Sequence, residues 1–202
     1  MPAGKRSNPL ALAVLVCLGE RSMHPYEVAT TLRQRHKHDS VRLNYGSLYA
    51  VVASLEKRGL IEAEATKRDG QLPERTVYRL TEAGRIEVHD WFTELLAIPV
   101  KDYTSFEAAL SFLPTLPPDH VADLLRERAD RLERASTEER ASLELLAHQG
   151  VPRLSWVEAE FRARLRDAEL AYVRQLIDEI TNGTIEGLEW WQGIHADPEP
   201  ST

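Results

Sequence analysis

Residues 45–61, Tyr45-Gly46-Ser47-Leu48-Tyr49-Ala50-Val51-Val52-Ala53-Ser54-Leu55-Glu56-Lys57-Arg58-Gly59-Leu60-Ile61, decide the fold. Leu48, Val51, Val52 and Leu55 fall at i, i+3, i+4 and i+7, the spacing of one apolar helix face. Lys57 and Arg58 put cations in the last turn and Gly59 stands just past it, as the helix dipole and a left-handed cap favour. The period then drops to two. Ile61, Ala63 and Ala65 alternate with Glu62, Glu64 and Thr66; a turn-rich stretch with Asp69-Gly70 and Pro73 follows, then Thr76-Val77-Tyr78-Arg79-Leu80. Two short alternating runs around a basic, glycine-containing loop predict a β-hairpin with a long tip.

Working outward, Asn8 and Pro9 are start signals for a nearly all-apolar helix over residues 9–20, and Pro25 opens a second helix with a basic end at Arg33, Arg35 and Lys37. A polar connector fills 38–44. After the hairpin, Thr81 is placed to cap a helix running toward Leu96 and stopping before Pro99. Beyond residue 100 the pattern is helical only. Pro118 opens a long charged helix to about His148, and Gly150 and Pro152 break it. Ser155 is the expected cap of a last long helix, which Asn182-Gly183 ends. The expected domains are 1–98, 99–195 and a tail of 196–202.

The chain has 202 residues, 43% of them hydrophobic and 28% charged, enough to bury a core. One cysteine, Cys17, excludes a disulfide framework and a Cys-based zinc site, and fits a reducing cytoplasm. The apolar run Leu10–Leu18 is about half the length of a membrane helix, and Leu18-Gly19-Glu20-Arg21 offers no small-x-small cleavage site. A buried helix is the expectation, with no membrane partner. The net charge of −7 hides a split: residues 1–90 carry 14 Lys/Arg against 11 Asp/Glu, and residues 91–202 carry 11 against 21. Such asymmetry points to nucleic acid or membrane contact by the basic half.

Three helices and a basic hairpin describe a winged helix-turn-helix. The major groove of double-stranded DNA admits one helix, and the preceding helix braces it across the backbone. Tyr45, Gly46, Ser47 and Tyr49 stand at the start of the third helix, where small and hydrogen-bonding groups allow close approach. Lys67, Arg68 and Arg75 at the hairpin tip can displace condensed counterions from phosphates. The expected fold class is mainly α, an N-terminal winged helix-turn-helix followed by a helical C-terminal dimerisation domain.

The strings Tyr45-Gly46-Ser47-Leu48-Tyr49, Leu55-Glu56-Lys57-Arg58-Gly59-Leu60-Ile61 and Tyr78-Arg79-Leu80-Thr81-Glu82-Ala83-Gly84 closely resemble the PadR family of bacterial transcriptional regulators. His24-Pro25-Tyr26-Glu27-Val28 matches the family's Gly-Tyr-Glu-Leu position, and Leu15-Val16-Cys17-Leu18 its opening helix. The resemblance covers about residues 9–90. Pro25 replaces the usual glycine, and Asn44-Tyr45 replaces a proline-containing entry to the third helix. The acidic second half looks like the longer subtype, similar to virulence-activator regulators. The resemblance implies a homodimer held by C-terminal helices on a pseudo-palindromic operator, usually repressing, and often released by a small aromatic or hydrophobic effector.

The DNA-contact candidates are thus Tyr26, Tyr45, Gly46, Ser47, Tyr49, Lys57, Lys67, Arg68, Arg75 and Tyr78. Each has a plainer reading: tyrosines on amphipathic helices pack, and Lys57 complements a helix dipole. Phe161, Leu165, Ala168, Tyr172, Leu176 and Ile180 form a stripe at steps of three and four, a dimer seam or else an intrachain core. Trp156, Trp190 and Trp191 are candidates to line a ligand cavity, with core or interface as their commoner use. His36-Lys37-His38 lacks further ligands at metal spacing, and no cofactor or enzyme signature is present. The rival function is a winged helix that docks a protein and never touches DNA.

Overall fold

Asn8 starts the first helix, α1 (Pro9–Glu20), by accepting the Leu10 amide at 3.1 Å, with Pro9 in the first turn. The structure, a computed structural model, describes residues 8–37, 40–67 and 75–196. They form two compact units divided between Lys101 and Asp102.

In the first unit α1 is the central helix. Leu10, Val14, Leu15, Cys17 and Leu18 are all buried, and burial raises the Cys17 thiol pKa. Helix α2 (Pro25–Gln34) begins with a reciprocal cap: the Tyr26 amide donates to His24 Nδ1 at 3.1 Å, and the His24 amide donates to Glu27 Oε2 at 2.8 Å. Arg35 grips Glu20 with two bonds of 2.5 and 2.7 Å, joining the ends of α1 and α2. Helix α3 (Tyr45–Lys57) buries Leu48, Val51, Val52 and Leu55 against them.

Gly59 leaves α3 at φ +70°, and the Leu60 amide donates back to the Leu55 carbonyl. Strand β1 (Ile61–Lys67) pairs antiparallel with β2 (Arg75–Leu80), Ile61 opposite Leu80 and Lys67 opposite Arg75. The register shifts between Ala63 and Ala65, a bulge that increases the hairpin's twist. Met23 and Tyr78 exchange backbone bonds of 3.0 Å, fastening the hairpin to the α1–α2 turn. Helix α4 (Glu82–Ala97) follows, its Trp91 buried in the same core.

The second unit is a helical hairpin with short helices at one end: α5 (Ser105–Ser111), α6 (Pro118–His148), α7 (Val157–Thr181) and α8 (Leu188–Gly193). Val121, Ala122, Leu125 and Ala129 of α6 pack on Leu170, Val173, Leu176 and Ile180 of α7. Farther along, the two helices are joined by polar groups. Ser136 Oγ donates to Asp167 at 2.5 Å, Arg140 pairs with Asp167 at 2.8 Å, and Glu139 takes both Arg162 and Arg166.

Three expectations change here. Leu176 and Ile180 lie in the chain's own core, so the α7 stripe is not one continuous seam; only Phe161, Leu165, Ala168 and Tyr172 stay exposed, with Val157 beside them. Trp191 is buried and its indole donates to the Leu116 carbonyl at 2.8 Å, a packing role that removes it as a ligand-cavity residue. Ser155 ends a short 3₁₀ turn, and the N-cap position of α7 falls one residue later, on Trp156.

Candidate nucleic-acid interface

Helix α3 has two uses for its two faces. The apolar stripe is consumed by the core, which leaves Tyr45, Gly46, Tyr49, Ala50, Ala53 and Lys57 in solvent. Apart from the tyrosines and Lys57 these are small, so another surface can approach the backbone closely. A Cβ on Gly46 would meet only Asn44 Oδ1, at an ordinary 3.7 Å; the protein's own packing does not require the glycine.

Asn44 caps α3, accepting the Ser47 amide at 2.8 Å and the Ser47 hydroxyl as well. Ser47 is half-buried and its hydroxyl is committed to the cap. Tyr26 is 54% exposed and stacks on Tyr45, ring centroids 6.1 Å apart and planes 8° from parallel. Arg33 also contacts Tyr45: its guanidinium carbon is 4.7 Å from the Tyr45 ring centre, and Nη1 donates to the Tyr45 hydroxyl at 2.6 Å. Arg33, part of the basic end of α2, is not among the DNA-contact candidates named from the sequence. Its spacing of seven from Tyr26, two helical turns, was the available signal.

The hairpin places the remaining candidates. Arg68 and the side chains of Lys67 and Arg75 lie outside the described residues, as does His38. Tyr78 is half-buried against the core; burial first, then the negative charge of Glu56 and a hydrogen bond to its carboxylate, raise its pKa. Its side chain therefore serves the joint between hairpin and α3, which corrects the expectation of a DNA-facing tyrosine. Arg58 pairs with Glu87 at 3.0 Å and Arg79 with Glu62 at 2.6 Å.

The second unit holds a groove of about 730 Å³ along α5 and α6. Phe106, Leu110, Leu113, Leu116 and Leu125 line it, together with Arg128 and Arg131. The Arg128 guanidinium sits 3.7 Å over the Phe106 ring and its Nε donates to Glu169 at 2.7 Å. None of the three candidate tryptophans lines this groove: Trp156 donates to the Val151 carbonyl at 3.1 Å, and Trp190 is 63% exposed. No described helix is long and apolar enough to cross a membrane. Among the described residues no three His, Cys, Asp or Glu side chains gather as a metal site.

Comparison with known proteins matches this geometry. Bacillus subtilis PadR in complex with operator DNA superposes with a TM-score of 0.66 at 19% identity, over 86% of this chain and 99% of that one. The same protein in complex with p-coumaric acid gives 0.67 at 16% identity, over 85% and 98%. The Vibrio cholerae virulence activator AphA gives 0.62 at 16% identity, over 86% and 99%. No curated protein sequence matches the chain. These likenesses give the fold, a winged helix-turn-helix followed by a helical region. The sequence profile of the Transcriptional regulator PadR-like family matches residues 14–90, the stretch that holds α2, α3 and the hairpin.

Proposed function

We propose that this protein is a homodimeric, sequence-specific DNA-binding regulator that represses from a pseudo-palindromic operator and is released by a small aromatic or hydrophobic molecule. The observation that carries this reading is α3: its apolar face is spent in the core while its first turns offer Tyr45, Gly46 and Tyr49 to solvent. That is what insertion into a major groove requires.

Dimerisation is supported by the outer face of α7, where Val157, Phe161, Leu165 and Tyr172 are exposed apolar or aromatic residues along one helix. Such a stripe is costly in a monomer and suits a two-fold interface. A dimer presents two α3 helices to two half-sites. The effector reading moves from the tryptophans to the α5–α6 groove, whose volume suits a drug-sized ligand. Its apolar walls and two arginines favour a flat hydrophobic molecule with an acidic group, the chemistry of the p-coumaric acid held by the B. subtilis protein of the same fold.

Fluorescence anisotropy with duplex DNA from the gene's own upstream region, against random duplex at two salt concentrations, tests the reading. Salt-sensitive binding that favours the upstream duplex by about a hundredfold, about 3 kcal/mol, is the expected result. Absence of binding at low salt would leave the protein-docking alternative.

A further inference from the structure

We propose that Arg33 is a phosphate-contacting residue of the DNA complex and that Tyr45 is its positioning residue, an inference that rests on the DNA-binding reading above. Three side chains from two helices make the device. Tyr26 and Arg33 share one face of α2 at i and i+7, and Tyr45 in the first turn of α3 touches both of them. Its ring is stacked on Tyr26, its hydroxyl is held by Arg33 Nη1 at 2.6 Å, and the guanidinium stands 4.7 Å from the ring centre. All three residues are exposed.

The charges around it set Arg33 apart from most arginines of the first unit. Arg35 is bound to Glu20, Arg21 to Glu27, Arg58 to Glu87 and Arg79 to Glu62, so each of these cations already has an anion. Arg33 is held by a neutral phenol and a π face instead. It keeps its full charge, and the hydroxyl uses only one N–H of the guanidinium fork. Holding an arginine rigid with an uncharged partner lowers the entropy lost on binding without weakening its pull on an anion. The element that carries it is α2, the helix that crosses the backbone in this architecture, so the anion is a phosphate. Tyr45, tied to both Tyr26 and Arg33, is thereby a holder of the cation and not a reader of bases.

The experiment uses the full chain and two duplexes of about 30 bp, long enough for two half-sites a turn apart: one selected on the wild-type protein from a randomised pool, one unselected. Affinity is measured over a salt series for wild type, Arg33→Ala, Arg33→Lys, Tyr45→Phe and the Arg33→Ala/Tyr45→Phe double variant, after circular dichroism shows equal melting. Arg33→Ala is expected to lower the slope of log K against log salt by about 0.9 per half-site contact. It should weaken both duplexes alike, by about tenfold for a lost charged contact. Arg33→Lys should restore the slope and only part of the affinity. Tyr45→Phe should weaken wild type several-fold and do nothing further to Arg33→Ala. An Arg33→Ala protein with the wild-type slope, or Tyr45→Phe effects that add fully to those of Arg33→Ala, would overturn the assignment while leaving DNA binding intact. A wild-type protein that binds neither duplex, with no salt dependence, would overturn both together.

Discussion

A Cβ built on Gly84 would stand well under 3.0 Å from the carbonyl oxygen of Leu60 and 2.5 Å from Leu80 Cδ1. The first turn of α4 therefore rests directly on the backbone where α3 hands over to the hairpin. Thr81 completes the joint: its hydroxyl donates toward the Gly59 and Leu60 carbonyls at 2.7 and 3.0 Å and accepts the Gly84 amide at 3.0 Å. Gly84→Ala is expected to destabilise the protein by about 1–3 kcal/mol, as overpacking against backbone does. Urea unfolding should show a lower midpoint with an unchanged m value; a wild-type midpoint would mean that α4 moves aside without cost.

The two halves of the α7 stripe should respond differently to substitution. Leu165 is 55% exposed whereas Leu176 is buried in the hairpin core. Leu165→Glu is expected to halve the mass seen by light scattering while the far-ultraviolet spectrum stays helical. Leu176→Ala, which opens a cavity, should instead cost about 2–5 kcal/mol of unfolding free energy. If Leu165→Glu kept the wild-type mass, the seam would lie elsewhere.

That division shows where sequence reading stops. Local signals are dense in the first unit: caps at Asn8 and Thr81, Pro25 in a first turn, Gly59 past a last turn and the change of period at Ile61 put every element boundary close to where it is found. Facing is less local. Each step of four overshoots a 3.6-residue turn by about 40°, so a stripe from Phe161 to Ile180 rotates by about 100° and leaves one face for another. Phe161, Leu165, Ala168 and Tyr172 stay together in solvent, while Leu176 and Ile180 turn into the core beside Val173. Tyr78 and Trp191 were illegible for a related reason. Their polar atoms answer Glu56 and the Leu116 carbonyl, partners far away in the sequence.

Acid should destabilise the protein through identifiable carboxylates. The Ser136 hydroxyl, and after it Arg140, holds the Asp167 pKa below the ordinary value; the His24 amide does the same to Glu27, and Arg35 to Glu20. A folded pKa below the unfolded one means that the unfolded chain takes up the extra proton first as pH falls. The stabilisation is therefore complete above the unfolded values, near pH 4, and is lost as pH falls through the folded ones. Thermal melts should be flat near neutrality and drop below about pH 4, and Asp167→Asn should flatten part of that drop. A variant with the wild-type profile would remove Asp167 from the account.

Ser47 and Tyr49, two candidates only two residues apart in α3, should separate in their effects on sequence preference. The Ser47 hydroxyl is bound to Asn44 Oδ1, which also takes the Ser47 amide at 2.8 Å, so the side chain completes the α3 cap and is half-buried. Tyr49 is 48% exposed and points its ring away from the core stripe of its own helix. Asn44→Ala should cost about 0.5–2 kcal/mol of stability through loss of the cap. Ser47→Ala should weaken the same cap and leave the ranking of duplex sequences unchanged, because the hydroxyl is already spent. Tyr49→Ala should instead alter that ranking, since what it removes is a surface presented to the groove and not a fold contact. Parallel selection of duplexes from a randomised pool on each variant reads the difference directly. A changed consensus for Ser47→Ala with unchanged melting would mean that the hydroxyl leaves Asn44 on binding and reads a base itself.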